Sequence, residues 1–239
     1  MIRKISGKRR PLRVSFSGID GAGKSTQIDL LRARLMAAGA GVQLITFWDD
    51  VAVLPSLREK ATHALFKGEK GIGSPEKPVN RRDKNVRSWY MTGFRFGLYF
   101  LEAISLRRAA ARRRDADVLI FDRYLYDQLA NLPMQRFFTR MYARLLLKMV
   151  PSLDIAYLLE ADPDRARARK PEYPVEFLQT LRASYTILSH IGNMTVVAPG
   201  SVAEVSDAVT QNFLRKCPQM EIKEWVGGVP APQSSEQRA

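Results

Sequence analysis

Residues 18 to 26 read Gly-Ile-Asp-Gly-Ala-Gly-Lys-Ser-Thr, which contains the spacing G-x-x-x-x-G-K-[ST]. Each residue type in it answers to a property of a phosphate chain. Glycines let the backbone curl until its N–H groups point at phosphate oxygens. The Lys24 ammonium can reach the β and γ phosphates, and the Ser25 hydroxyl can ligate Mg2+. Gly18, Asp20, Gly21, Ala22, Gly23, Lys24, Ser25 and Thr26 are therefore the first candidates for holding a phosphoryl donor. Three other groupings carry side chains suited to such chemistry: Trp48-Asp49-Asp50, Asp122-Arg123-Tyr124, and the basic set Arg167, Arg169 and Lys170.

The elements around the loop are those needed to aim it. Leu12 to Phe16 reads as a strand, and Ile28, Leu31 and Leu35 repeat at helical spacing after the loop. A strand, a glycine loop and a helix in that order put phosphates on a helix N-terminus, where the dipole and free N–H groups favour anions. Strand and helix patterns then alternate. Strands are expected at 42–47, 118–121, 155–159 and 194–198. Helices are expected at 53–66, 85–113, 134–150, 163–169 and 175–191, and over a last helix announced by the capping pair Ser201 and Glu204. Five strands separated by helices argue for an α/β fold: a single domain built on a five-stranded parallel sheet with helices on both faces. Such a sheet brings the loops after its strands to one edge, where all four chemical groupings then meet.

Composition limits the alternatives. The 239 residues can bury roughly 70–75% of their unfolded surface in one domain. Cys217 is the single cysteine and His63 and His190 are the only histidines, which excludes an intrachain disulfide and a Cys/His metal cluster. No apolar run reaches the length of a membrane span, and no apolar signal core follows the basic start, so a soluble, cytoplasmic chain is expected. The formal charge of +14 gathers in a basic arm (1–11), in 67–87 and in Arg107 to Arg114. No nucleic-acid-binding module accompanies that charge, so nucleic acid is not the expected main partner. The last residues, 217–239, form an extension whose Gly/Pro/Ser/Gln-rich end is expected to be disordered.

From Leu12 to Arg215 the chain resembles the thymidylate kinase branch of the P-loop nucleoside monophosphate kinases. The resemblance rests on the loop extended through Thr26-Gln27 with its internal Asp20. It rests also on Asp122-Arg123-Tyr124 after an apolar strand, on Pro163-Asp164-x-Ala166-x-x-Arg169, and on Phe177, Leu181 and Tyr185 spaced by four. It implies a P-loop kinase fold, ATP as donor, Mg2+ as cofactor and a nucleoside monophosphate, dTMP first, as acceptor. On the same ground Ser25 and Asp122 would serve the metal, and Arg123 with Tyr124 and Asp20 would bind the acceptor. Arg167 and Arg169 would close as a lid over 162–174, while Arg169 and Pro199 would contact the donor nucleotide. Arg95 and Trp48 are candidates for the acceptor base. A homodimer through the long helix, including Trp89 to Leu101, is implied as well.

The pattern breaks in three places, one of them the basic loop 67–87, which could supply positive charge for the acceptor phosphate, recognise a different phosphorylated substrate, or be a plain solvated loop. Where the family carries a phosphate-gripping arginine after its second strand, this chain has Asp49-Asp50. One of these carboxylates could be a general base for a hydroxyl acceptor, could serve the metal, or could cap the following helix while the other is solvated. Asp127 stands where the family often has a small hydroxyl residue. A kinase for a nucleoside or another hydroxyl acceptor, and a slow nucleotide-binding regulatory protein, therefore stand beside the monophosphate kinase as alternatives.

Overall fold

The computed structural model describes residues 10–52 and 89–218, excluding the side chains at 89–92 and 94. The helix expected over 53–66, the basic loop 67–87, the residues before 10 and those beyond 218 lie outside the described residues.

The described chain forms a five-stranded, all-parallel sheet in the order β2-β3-β1-β4-β5. The strands are β1 (Leu12–Ser17), β2 (Val42–Thr46), β3 (Val118–Asp122), β4 (Ile155–Leu159) and β5 (Thr195–Val197). Both faces are covered, so the central strands carry apolar side chains almost without interruption. Val14 and Phe16 of β1, Val118 and Ile120 of β3, and Ile155, Tyr157 and Leu159 of β4 point to one side. There they meet Ile28, Leu31 and Leu35 of α1 (Lys24–Ala37) and Val209 and Phe213 of α7 (Val202–Lys216). Leu119, Phe121, Ala156 and Leu158 point the other way. They pack against α2 (Trp89–Arg112), α3 (Leu125–Leu129), α4 (Phe137–Met149) and α6 (Val175–Ile191). The short α5 (Pro163–Arg169) sits between β4 and α6.

The periodic segments fold as the pattern predicts, with three differences. Residues Phe47–Val51, expected to open on the last residue of a strand, wind into a π-helical turn. A short helix, α3, occupies the stretch after Asp122-Arg123-Tyr124, and α4 begins at Phe137 rather than Met134. The Ser201–Glu204 capping box forms as expected: Ser201 Oγ accepts from the Glu204 N–H, and the Glu204 carboxylate accepts from the Ser201 N–H. Hydrogen bonding to the carboxylate from the Ser201 backbone first, and then from its side chain, holds the Glu204 carboxyl below its usual range.

The strand order decides what the glycine loop touches. β1 lies between β3 and β4, with Phe16 opposite Asp122 and Ser17 opposite Leu158. The loop leaving β1 is therefore flanked on one side by the Asp122-Arg123-Tyr124 turn and on the other by the segment leading into α5.

Candidate active site

The loop from Gly18 to Gly23 curls through left-handed backbone at Gly18 (φ 147°), Gly21 (φ 86°) and Gly23 (φ 84°), a region only glycine enters freely. Gly21 also has no room for a side chain, because a Cβ there would run into the Ala166 carbonyl of α5. The lid candidate is thus docked directly on the loop, and Arg169 Nη1 donates to the Gly21 carbonyl at 3.4 Å. Gly23 caps α1 without any side-chain bond, and the first loop-to-helix bond runs from the Gln27 N–H to the Gly23 carbonyl. The N–H groups ahead of Gln27 are left aimed out of the helix end, the arrangement that suits an anion.

Lys24 lies against this loop, almost entirely buried. Its Nζ donates to the Gly18 carbonyl at 2.8 Å and the Ile19 carbonyl at 2.9 Å, with Asp20 Oδ1 4.0 Å away. Burial, and then the positive charge of Arg123, push the ammonium down from 10.5 to about 8, against the pull of Asp20, Asp127 and Asp122. A lysine in this state gains strongly from a polyanion that restores its charge balance.

Arg123 holds a left-handed backbone conformation (φ 68°), uncommon for a side chain of this size and typical of strained functional turns. Its N–H donates to the Phe16 carbonyl at 3.2 Å, tying the turn to β1, and its guanidinium pairs with Asp20 of the loop. Burial lowers its pKa, but Asp20 and Asp127 outweigh burial and raise it well above the usual arginine value. Asp122 is half-buried at the end of β3. Burial pushes its carboxyl upward, opposed by Arg123 and Lys24. Behind these residues lies a second layer. Asp127 Oδ2 accepts from Ser17 Oγ at 2.7 Å and from the Tyr124 N–H at 3.0 Å, and Asp127 Oδ1 accepts from the Tyr185 hydroxyl at 2.8 Å. Three donors converging on one carboxylate is the arrangement of an ionised, acceptor-only group.

The remaining candidates divide. Ser25 is exposed at the first turn of α1, and Ala22 and Thr26 are half-buried beside it. Arg167 is half-buried and Arg169 exposed on α5; Arg95 is half-buried on α2, and Trp48 is 42% exposed with its ring edge-on to Phe47. Asp49 is exposed on the π-helical turn, and no hydrogen bond or ion pair joins it to another described residue. Asp50 is different: its Oδ2 accepts from the Thr46 N–H at 2.9 Å and its Oδ1 pairs with Arg113. Asp50 therefore fastens the turn to β2 and to the chain beyond α2, while Asp49 is the more exposed of the two aspartates expected as base. Tyr124, expected at the acceptor, lies on the core side of its turn. Its ring is buried among Phe121 and Tyr126, and its hydroxyl bonds the Pro151 carbonyl at the entry to β4. It packs the core instead of facing an acceptor. Sequence reasoning did not find the Ser17–Asp127–Tyr185 cluster, whose members lie 58 and 110 residues apart; the unusual aspartate at 127 was its only signal.

Pro199 is exposed and, with Val197, Gly200 and Asn212, lines an open groove of about 730 Å3 between β5 and α7. Among the described residues no three His, Cys, Asp or Glu side chains form a metal-holding group. Mg2+ brought by phosphates commonly takes few protein ligands and keeps water and phosphate oxygens; the exposed Ser25 hydroxyl and the half-buried Asp122 carboxylate are among the oxygens at this end of the sheet that suit such an ion. No described helix is long and apolar enough to cross a membrane.

No protein-family model matches the chain, and no curated protein sequence does. Solved structures do. A thymidylate kinase from Candida albicans superposes with a TM-score of 0.61 at 15% identity, over 89% of this chain and 94% of that one. A thymidylate kinase from Ehrlichia chaffeensis gives a TM-score of 0.53 at 17% identity, over 86% and 99%. At such identities the likeness speaks for the fold, and this chain has a thymidylate kinase-like, P-loop kinase fold.

Proposed function

We propose that the protein is an ATP-dependent nucleotide kinase, with dTMP as the first acceptor to test. The observation that carries this reading is the joining of Lys24, Asp20 and Arg123 at one end of the loop. That junction puts a donor-phosphate site beside a cation able to hold an acceptor. Phosphoryl transfer asks a protein for positioning and charge neutralisation more than for covalent help. The loop N–H groups and Lys24 hold the donor phosphates. Ser25 and Asp122 would hold Mg2+, which would neutralise developing charge on the phosphates. Arg123, fixed by Asp20, offers its planar fork to the acceptor phosphate. Arg167 and Arg169 close the lid over 162–174 and exclude water, while Pro199 lies against the donor base.

The exposed Asp49 favours a second reading, in which it takes a proton from a hydroxyl acceptor as that oxygen attacks the γ phosphate. A panel of nucleoside monophosphates and nucleosides with ATP and Mg2+, followed by ADP release, separates the two. Turnover of dTMP supports the first reading and turnover confined to nucleosides the second; ATP binding with no turnover of any acceptor overturns both.

The apolar surface supports assembly as a homodimer. Phe137, Phe138, Met141 and Leu145 of α4 are 50–80% exposed, and Phe100 and Leu101 of α2 are 41% and 46% exposed. The two helices are joined by the Phe96–Tyr142 ring pair, with centroids 4.2 Å apart. An apolar face of this kind marks an interaction surface, and a second copy of the chain is the partner we propose for it.

A further inference from the structure

Arg13 lies at the end of β1 away from the glycine loop, and its side chain alternates with Val14 to the other face of the sheet. It is half-buried, and its Nε is shut off from solvent without a hydrogen-bond partner. No ion pair joins its guanidinium to another described residue, although its Nη groups remain open to solvent. Asp154, the carboxylate of this corner, is already engaged. Its two oxygens take both ends of the Arg10 guanidinium at 2.8 Å, and Oδ2 also takes the Arg13 N–H at 2.9 Å. A third arginine, the exposed Arg114, arrives where the chain enters β3, a crossing fixed by the Leu12 N–H on the Asp117 carbonyl at 3.0 Å. Burial, then Arg10, and less strongly Arg114 lower the Arg13 guanidinium from its usual value, while Tyr124 and Asp154 pull the other way. Three guanidiniums against one carboxylate leave two positive charges in excess, and half-dry charge of this kind calls for a partner.

We propose that Arg13, with Arg10 and Arg114, forms a second anion site at the base of the sheet, which takes a phosphate group carrying two negative charges. A planar guanidinium fork suits phosphate oxygens, and a dianion balances the excess. The Nη groups of Arg13 and the Arg114 guanidinium bond the phosphate, while Arg10 adds its charge without leaving Asp154. A free phosphate compound and a lipid headgroup present the same group to this cluster. The site is separate from the glycine loop, since the two stand at opposite ends of the six-residue β1. It therefore holds whether or not the loop serves a nucleotide kinase.

The test titrates inorganic phosphate into the full chain carrying Lys24→Met, which takes the main cation from the loop. Calorimetry at low ionic strength should show one phosphate bound per chain. Adding Arg13→Gln should weaken that binding at least tenfold, and Arg114→Gln should weaken it several-fold. Arg114 is exposed, so its substitution tests the site without threatening the fold. Arg182→Gln, the same loss of charge at an exposed position on α6, should change the affinity less than about twofold. No saturable binding, or equal losses in Arg13→Gln and Arg182→Gln, would overturn the proposal. A second arm sediments the chain with phosphatidylcholine vesicles, with and without phosphatidic acid. Retention on phosphatidic acid that Arg13→Gln removes and Arg182→Gln spares identifies a lipid headgroup as the source. Phosphate binding without such retention identifies a free phosphate compound.

Discussion

Lys24 should give the folded chain an unusual response to alkali. Its ammonium is buried, and burial with the Arg123 charge lowers it from 10.5 to about 8. Below about pH 8 both folded and unfolded chains hold the proton, and the cost of burying the charge is carried in full. Between about 8 and 10.5 the folded chain has released a proton that the unfolded chain still holds, so unfolding takes one up and stability at this site rises with pH. Above 10.5 both forms are neutral and the effect is complete. The gap between about 8 and 10.5, at about 1.4 kcal/mol per pH unit, is worth about 3 kcal/mol. No discount for solvent is due, because the side chain is only 6% exposed. Lys24→Met removes the titration with little change of shape. Urea unfolding of both chains from pH 7 to 10.5, extrapolated to water, gives the difference in stability, in which every other titrating group cancels to first order. The wild type should gain about 3 kcal/mol on the variant across that range. A flat difference would refute the claim that Lys24 is held buried at the expense of its charge.

Other substitutions test the rest of the site. Gly21→Ala combines a strained left-handed backbone with a collision against the Ala166 carbonyl; it should destabilise by about 1–3 kcal/mol and weaken ATP binding at least tenfold by calorimetry. Asp50→Ala should lower stability by about 1–2 kcal/mol in urea by freeing the Thr46 N–H and Arg113, whereas Asp49→Ala should stay within about 0.5 kcal/mol. If a hydroxyl is the acceptor, Asp49→Ala should nonetheless abolish turnover in the ADP-release assay. If the chain pairs as proposed, Phe138→Asp, at an 80% exposed position, should convert the dimer to a monomer in sedimentation and remove the concentration dependence of its unfolding midpoint.

Much of the fold was legible because its signals are local. The loop 18–25 needs glycine where φ is positive, and β3 and β4 declare their burial on two faces by unbroken apolar runs. The Ser201–Glu204 cap spans one helical turn and forms as the pattern predicts. The difficulties arose where one residue type serves two purposes. Tyr124 sits in a motif that suggests ligand contact, yet its neighbours Phe121 and Tyr126 draw its ring into the core. Asp49 and Asp50 are adjacent and chemically identical, and only one of them meets a cation.

From composition, periodicity and spacing alone come the parallel α/β class, the glycine-rich loop after β1, and the nearby Asp-Arg-Tyr turn. These depend on contacts within a few residues, where backbone preference and side-chain period leave little choice. Partners distant in the chain depend instead on strand order. Placing β1 between β3 and β4 brings Arg123 onto Asp20 and Ala166 onto Gly21. It also lets a tyrosine of α6 share the Gly18 carbonyl with Lys24. Such meetings are set by how whole elements bury their apolar faces, and a side chain's role follows from which neighbour that packing delivers.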